Sequence, residues 1–274
     1  MKQQTLGFIG AGNMAGSLIG GLVADGYPAE SIRVSDVDPA KLSDLAQRFG
    51  VHTAADNRAV AEKAEILVLA LKPQAMQPVV AELAETLQAR KPVLLSIAAG
   101  ITEGALDRWA GGGAAIVRCM PNTPALVQTG ATALHANDRT SAEQRSQAEA
   151  IMRSVGLTVW VESEPLLDTV TALSGSGPAY FFMMMEAMED AAVELGLDRS
   201  TARLLTQQTA LGAGRIAIES EEPPAELRRR VTSPGGTTER AIAAFESGNL
   251  HALVAAAIQA AARRAAELSE QLGG

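Results

Sequence analysis

A single cysteine, Cys119, stands in the whole chain, so no internal disulfide can form and a disulfide-stapled scaffold is excluded. Histidine is nearly as scarce. His52, His135 and His251 lie too far apart to show metal-ligand spacing, and no metal site is expected. No window offers about eighteen uncharged apolar residues, and Met1-Lys2-Gln3-Gln4-Thr5 leads into a strand with no signal-like apolar core. These absences predict a cytoplasmic protein with no membrane contact. Positive charge is also in deficit, with 23 Lys and Arg against 31 Asp and Glu and a net charge of −8. Without a broad basic face to neutralise phosphates, a nucleic-acid partner is not expected. The basic run Arg228-Arg229-Arg230 follows Glu221, Glu222 and Glu226 and reads as an ion-paired helix face.

What is present is a hydrophobic share of 47% over 274 residues, enough to bury a sizeable core in two domains or one large one. Leu6 to Gly10 is a short apolar run stopping at glycine, and Asn13 to Asp25 carries apolar residues at helical spacing. A second strand, Ser31 to Ser35, ends at Asp36, and Pro39 opens a helix through about Phe49. Ile66 to Ala70 and Pro92 to Ser96 are continuous apolar runs, as strands covered on both faces should be. A helix from Pro73 to about Leu87 lies between them, and Ala114 to Arg118 reads as a further strand. Such alternation predicts a parallel, doubly wound sheet with right-handed crossovers. Thr129 to Leu134 and Leu157 to Val161, flanking a helix from Ala142 to Ser154, could extend its edge. From about Pro165 every periodic segment is helical: 166–174, 178–195, 201–218, 225–231, 237–247 and 250–272. The expected domains are therefore a Rossmann-type sheet over 1–165 and an all-helical domain over 166–274. The alanine-rich segments Leu204 to Ile218 and Leu250 to Ala266 suit close packing against a second subunit, so the helical domain is expected to dimerise.

Gly10-Ala11-Gly12-Asn13-Met14-Ala15 fits the G-x-G-x-x-G/A dinucleotide fingerprint, directly after a strand and opening a helix. Gly10 permits the tight turn, Gly12 lets backbone approach a pyrophosphate, and Ala15 keeps helix and strand close. The anion would sit at the helix N-terminus. An acid after the second strand, Asp36, would bind the ribose hydroxyls of NAD. Ser35, with Asn57 or Arg33, would instead receive a 2′-phosphate, and Asp36 turned to solvent would reconcile the two. Ala70-Leu71-Lys72-Pro73 and Ala98-Ala99-Gly100 stand at the carboxyl ends of later strands, where ligands of open α/β sheets bind. Lys72 is a candidate for the nicotinamide half, and Cys119 reads as a small buried residue.

Taken together, Phe8 to Met14, Lys72-Pro73, Arg118 to Asn122, Ser174-Gly175-Ser176-Gly177-Pro178-Ala179-Tyr180 and Ser233-Pro234-Gly235-Gly236-Thr237-Thr238 resemble pyrroline-5-carboxylate reductases over nearly the whole chain. The resemblance implies hydride transfer from NADPH, or NADH, to C5 of 1-pyrroline-5-carboxylate, giving L-proline in the last step of proline biosynthesis. It implies a homodimer with interleaved C-terminal helices, in some members joined into a ring of dimers. By position, Ile9, Gly10, Ala11, Gly12, Asn13, Met14, Ser35, Asn57, Ala70, Lys72, Pro73, Ala98, Ala99 and Gly100 resemble the cofactor contacts. Glu221, Ser233, Gly235, Gly236, Thr237 and Thr238, with Ser176 and Gly177, resemble the substrate side.

The chemistry agrees with the residue types. A cyclic imine protonated on nitrogen is already electrophilic at C5, so neither a metal nor a covalent nucleophile is needed and positioning should carry most of the catalysis. The Gly235 to Thr238 loop opens a helix and presents N–H groups to a carboxylate, and the Thr238 hydroxyl is the candidate partner of the ring nitrogen. The bland alternative is a helix-capping turn. A β-hydroxyacid dehydrogenase would need a lysine early in the long helix, and Tyr180 to Leu195 contains none. A non-catalytic nucleotide-binding scaffold would not need the second glycine–threonine loop.

Overall fold

The computed structural model describes residues 4–273. They form two compact units: one of residues up to Ser176 together with those from Ala260 on, the other of Gly177–Gln259.

The first unit is built on eight strands, β1 (Leu6–Ile9), β2 (Ile32–Ser35), β3 (His52–Thr53), β4 (Ile66–Leu69), β5 (Val93–Ser96), β6 (Ile116–Met120), β7 (Gly130–Ala136) and β8 (Gly156–Trp160). Their order in one sheet is β3-β2-β1-β4-β5-β6-β7-β8. From β3 to β6 every pair is parallel, and the order reverses outward from β1, so the carboxyl ends of β1 and β4 flank the switch point where such sheets bind ligands. Side chains alternate between two cores. Leu6, Phe8, Ile32 and Val34 pack on one face with Leu18 and Ile19, and Ile9, Leu67 and Leu69 pack on the other with Val60, Met76 and Val80.

The helices are α1 (Asn13–Ala24), α2 (Pro39–Phe49), α3 (Asn57–Ala61), α4 (Pro73–Glu82), α5 (Ala84–Arg90), α6 (Glu103–Trp109), α7 (Ala142–Arg153) and α8 (Leu166–Val170). Three features differ from the sequence expectation. The sheet is not wholly parallel: β7 runs antiparallel to β6, and β8 then runs parallel to β7. The link from Met120 to Gly130 is shorter than the dozen or so residues a parallel crossover requires, so the chain turns back on itself. The helix expected over Pro73 to Leu87 is two helices. They divide at Leu83, whose N–H lies 3.2 Å from the carbonyls of both Val79 and Val80 and so tightens the turn. The elements β3, α3 and α6 lie where none was expected.

The second unit contains α9 (Gly177–Glu194), α10 (Arg199–Glu219), α11 (Pro224–Arg230), α12 (Thr237–Ser247) and the first part of α13 (Leu250–Gly273). Helix α9 packs along α10, whose N-terminus is capped by Asp198, its carboxylate accepting the Thr201 N–H at 3.0 Å. The basic run on α11 is ion-paired, Arg229 with Glu226 and Arg230 with Glu222. Among the described residues no single helix is long and apolar enough to cross a membrane, although the bent pair α12 and α13 passes that test by length and composition.

Candidate functional site

Helix N-termini divide into two kinds. Helices α2, α3, α6, α7 and α10 are capped by Asp38, Asp56, Thr102, Ser141 and Asp198. Among the described residues no side chain caps α1, α4 or α12, whose N-cap positions are Gly12, Lys72 and Gly236, nor the short helices α5, α8 and α11. An uncapped helix leaves first-turn N–H groups and the positive end of its dipole for a ligand. Of these, α1, α4 and α12 carry the fingerprint, the Lys72-Pro73 turn and the glycine–threonine loop.

The fingerprint loop is held rigidly. Gly10 has φ +102°, and a Cβ placed there would meet the Ala70 carbonyl oxygen at 2.4 Å. Its N–H donates to the Ser35 carbonyl at 2.8 Å, and the next N–H, of Ala11, donates to Asp36 Oδ2 at 2.7 Å. Gly12 is the contrasting case, since a Cβ there would meet nothing within 4 Å. A strained glycine against neighbouring backbone, followed by one facing open space, is the geometry that lets a pyrophosphate approach the backbone at Gly12, Asn13 and Met14. A groove of about 660 Å³ begins at Ala11 to Asn13 and continues between α1 and α2, past Lys41 and Arg48.

Around this loop the structure gathers Ile9, Ala70 and Ser35. The Ala70 N–H donates to the Ile9 carbonyl at 2.9 Å, and the buried Ser35 hydroxyl donates to Asn57 Oδ1 at 2.8 Å. Arg33 points to the same side of β2 as Ser35 and carries a buried Nε with no partner among the described residues. Uncapped α1, the open space at Gly12 and this unsatisfied donor fit a phosphorylated dinucleotide. Asp36 departs from both expectations for it. It does not face solvent, its side chain being 11% exposed, and each of its oxygens is already engaged by a backbone N–H of the chain rather than left for a ribose alone.

The loop Ala98-Ala99-Gly100 follows β5, with Gly100 at φ +74° beneath Leu268 and Leu272 of α13. Just beyond it lies an ionic cluster that sequence reasoning missed. Arg118 Nη1 donates to Glu164 Oε1 at 2.6 Å, the same oxygen accepts the Glu103 N–H at 2.7 Å, and Glu103 Oε1 lies 2.6 Å from His135 Nδ1. Burial holds the Glu103 carboxyl above the usual carboxylate range; the hydrogen bond from His135 pulls it back, and the nearby Glu164 charge adds to the rise. The cluster ties β6, β7 and the start of α6 to the segment before α8. Its only sequence signal is a charge, Arg118, inside an apolar strand. Asn122 extends the bracing, its Nδ2 donating to the Ser174 carbonyl at 3.1 Å and its Oδ1 accepting the Ala131 N–H at 2.9 Å. Ser174 closes part of a π-helical turn, Thr171–Gly175, an irregularity frequent at functional sites, with Ser176 directly after it. Cys119 is buried, which pushes its thiol pKa far up and leaves it unreactive.

The cofactor residues lie in the first unit, whereas Glu221 and Ser233 to Thr238 lie in the second. In the latter loop the Gly236 N–H donates to the Ser233 carbonyl at 3.0 Å and Gly235, at φ +72°, donates to Glu239 Oε2 at 2.8 Å. The Gly235 donor is thus engaged within the chain, and the first-turn N–H groups of Thr237 and Thr238 carry the uncapped end. Glu221 is exposed, while Glu222 is bound to Arg230.

Comparison with known proteins covers both halves. A family model described as pyrroline-5-carboxylate reductase dimerisation matches residues 164–268, and one described as NADP oxidoreductase, coenzyme F420-dependent, matches residues 5–100. The chain is similar to the pyrroline-5-carboxylate reductase of Pseudomonas aeruginosa, with 50% identity covering 100% of each chain. It is also similar to that of Haemophilus influenzae, with 42% identity and 98% of each covered. Among solved structures, a pyrroline-5-carboxylate reductase from Coxiella burnetii superposes with a TM-score of 0.94 at 48% identity, covering 98% of this chain and 99% of that one. A Plasmodium falciparum pyrroline carboxylate reductase with NADP bound superposes with a TM-score of 0.86 at 27% identity, covering 98% and 99%.

Proposed function

The chain belongs to the pyrroline-5-carboxylate reductase family, and from that membership we propose how its residues divide the work of the reaction. The reaction is the reduction of 1-pyrroline-5-carboxylate to L-proline, an oxidoreductase step on a cyclic imine, in which bound NAD(P)H supplies a hydride to C5. Ile9 to Met14, Ser35, Asn57, Ala70, Lys72, Pro73 and Ala98 to Gly100 hold the dinucleotide. Ser35 and Asn57 favour the 2′-phosphate form. The nucleotide domain is assigned to residues 1–165 and the substrate and dimerisation domain to residues 166–274, of which 166–176 and those from Ala260 on group with the sheet unit.

The observation that carries this division is the pair of glycine-started, uncapped helices α1 and α12. One offers its N-terminus to a pyrophosphate, and the other, through the Thr237 and Thr238 N–H groups, to the substrate carboxylate. Ser233, Gly235 and Gly236 shape that second loop, with Ser176, Gly177 and Glu221 completing the substrate side. The Thr238 hydroxyl hydrogen-bonds the ring nitrogen and supports its protonated state, which keeps C5 electrophilic. The working particle is a homodimer in the cytoplasm, made by the apolar faces of α9, α10 and α13, with no nucleic-acid or membrane partner. Mass in solution tests whether the dimers close further into a ring.

The test is nicotinamide oxidation by the purified protein with pyrroline-5-carboxylate, run in parallel with NADPH and NADH. Proline formation, faster with NADPH, is the expected result. Thr238→Ala should lower turnover by about one to two orders of magnitude and leave dinucleotide affinity nearly unchanged. Equal loss of both would remove Thr238 from its role.

A further inference from the structure

We infer that Asp36 is a positioning residue that latches the fingerprint loop to the end of β2, and that it does not read the ribose. It stands where an NAD-binding acid would stand, immediately after the second strand. Its two oxygens are turned the other way. Oδ2 accepts the Ala11 N–H at 2.7 Å, Oδ1 accepts the Asp38 N–H at 2.8 Å, and the Lys41 Nζ lies 3.9 Å from Oδ1. Hydrogen bonds to a carboxylate are shorter and stronger than neutral ones, and both of these fall in the short range. Together with Gly10 N–H on the Ser35 carbonyl, consecutive amides of the loop are fixed to the last residue of β2 and to the residue after it.

The latch has two consequences. It sets the backbone at Gly12, the N-cap of uncapped α1, so the N–H groups for a pyrophosphate are aimed before any ligand arrives. It also commits the acid at the position of an NAD-binding carboxylate to the chain's own backbone, instead of to a ribose. Asp36 therefore supports binding of both dinucleotides and selects neither. This inference rests on the dinucleotide reading of the loop.

Two measurements test it. In the cofactor-free protein, exchange of the Ala11 amide should be slow in the wild type and faster by about tenfold or more in Asp36→Asn. Direct fluorescence titration should show Asp36→Asn weakening NADPH and NADH alike, by about tenfold each, with their ratio unchanged. Selective loss of NADH, with NADPH kept or tightened and Ala11 exchange unaltered, would overturn the inference, and so would no change in either affinity. If the wild type bound neither dinucleotide, the reading of the loop would fail, while the exchange comparison would still decide the latch.

Discussion

The two units of the chain bury their apolar residues very differently. In the first, the strands are sealed on both faces, with Phe8, Ile9, Leu67 and Leu69 all at 0% exposure. In the second, only Gly177, Ala202 and Thr206 are buried among the described residues, while Phe181, Met183, Leu204 and Leu253 are each more than 60% exposed. Composition does not explain this, since α9 carries the apolar run Phe181-Phe182-Met183-Met184-Met185. A helix apolar on all sides is a buried helix. The first unit holds its own core. The second leaves its apolar surfaces uncovered within one chain, in keeping with the dimerisation description of residues 164–268.

This contrast can be broken by paired substitutions. Phe8→Ala should cost about 3 to 5 kcal/mol, lowering the melting temperature by the same amount at every protein concentration. Leu204→Glu should leave the sheet unit folded but raise the dissociation constant of the proposed dimer a hundredfold or more, because a charge would have to enter an apolar interface. Its melting temperature should then depend on concentration. Light scattering coupled to gel filtration, with thermal melts over a concentration series, separates the two. A wild type that runs as a monomer, unaffected by Leu204→Glu, would end the argument from exposure.

A second pair sharpens the contrast within the first unit, between residues that build and residues that bind. Gly10→Ala drives a Cβ to 2.4 Å from the Ala70 carbonyl at a φ of +102°, so it should destabilise the fold itself by about 2 to 4 kcal/mol. Gly12→Val meets only open space at an ordinary φ of −74°; it should melt close to the wild type yet lose dinucleotide affinity at least a hundredfold. Unchanged nucleotide titration in Gly12→Val would remove the fingerprint reading.

The same pair explains what could be read in advance. A backbone demand is written in sequence as glycine, and a strand covered on both faces as an unbroken run such as Ile66 to Leu69, so the Rossmann half and its loop were legible. Direction and partnership were not. The antiparallel turn into β7 leaves no mark on periodicity, and α3 and α6 have five and seven residues, too few to show a helical period. Asp36 finds its partner 25 residues upstream and Arg118 finds Glu164 46 residues downstream, pairings that only tertiary structure makes. The substrate loop was legible as an anion-binding helix start, but its ligand came from the resemblance.

The smallest expected effect concerns the ionic cluster, where the sealed unit buries Glu103 and Arg118. Glu103 faces His135 from β7, Arg118 from β6 and Glu164 from the segment before α8. Its carboxyl is raised above the ordinary 4.5, chiefly by burial, so the folded protein holds that proton more tightly than the unfolded chain. A raised acid contributes most to stability while it is protonated. Its contribution is full below about pH 4.5 and is lost as pH rises through the folded value. Glu103→Gln cannot titrate, so the stability of the variant relative to the wild type should improve as pH climbs out of the ordinary carboxylate range. Denaturant titrations of both proteins across that range read the difference directly. A relative stability that stays flat or falls with rising pH would mean that His135 and Arg118 more than offset the burial of Glu103, and that the cluster stabilises the anion.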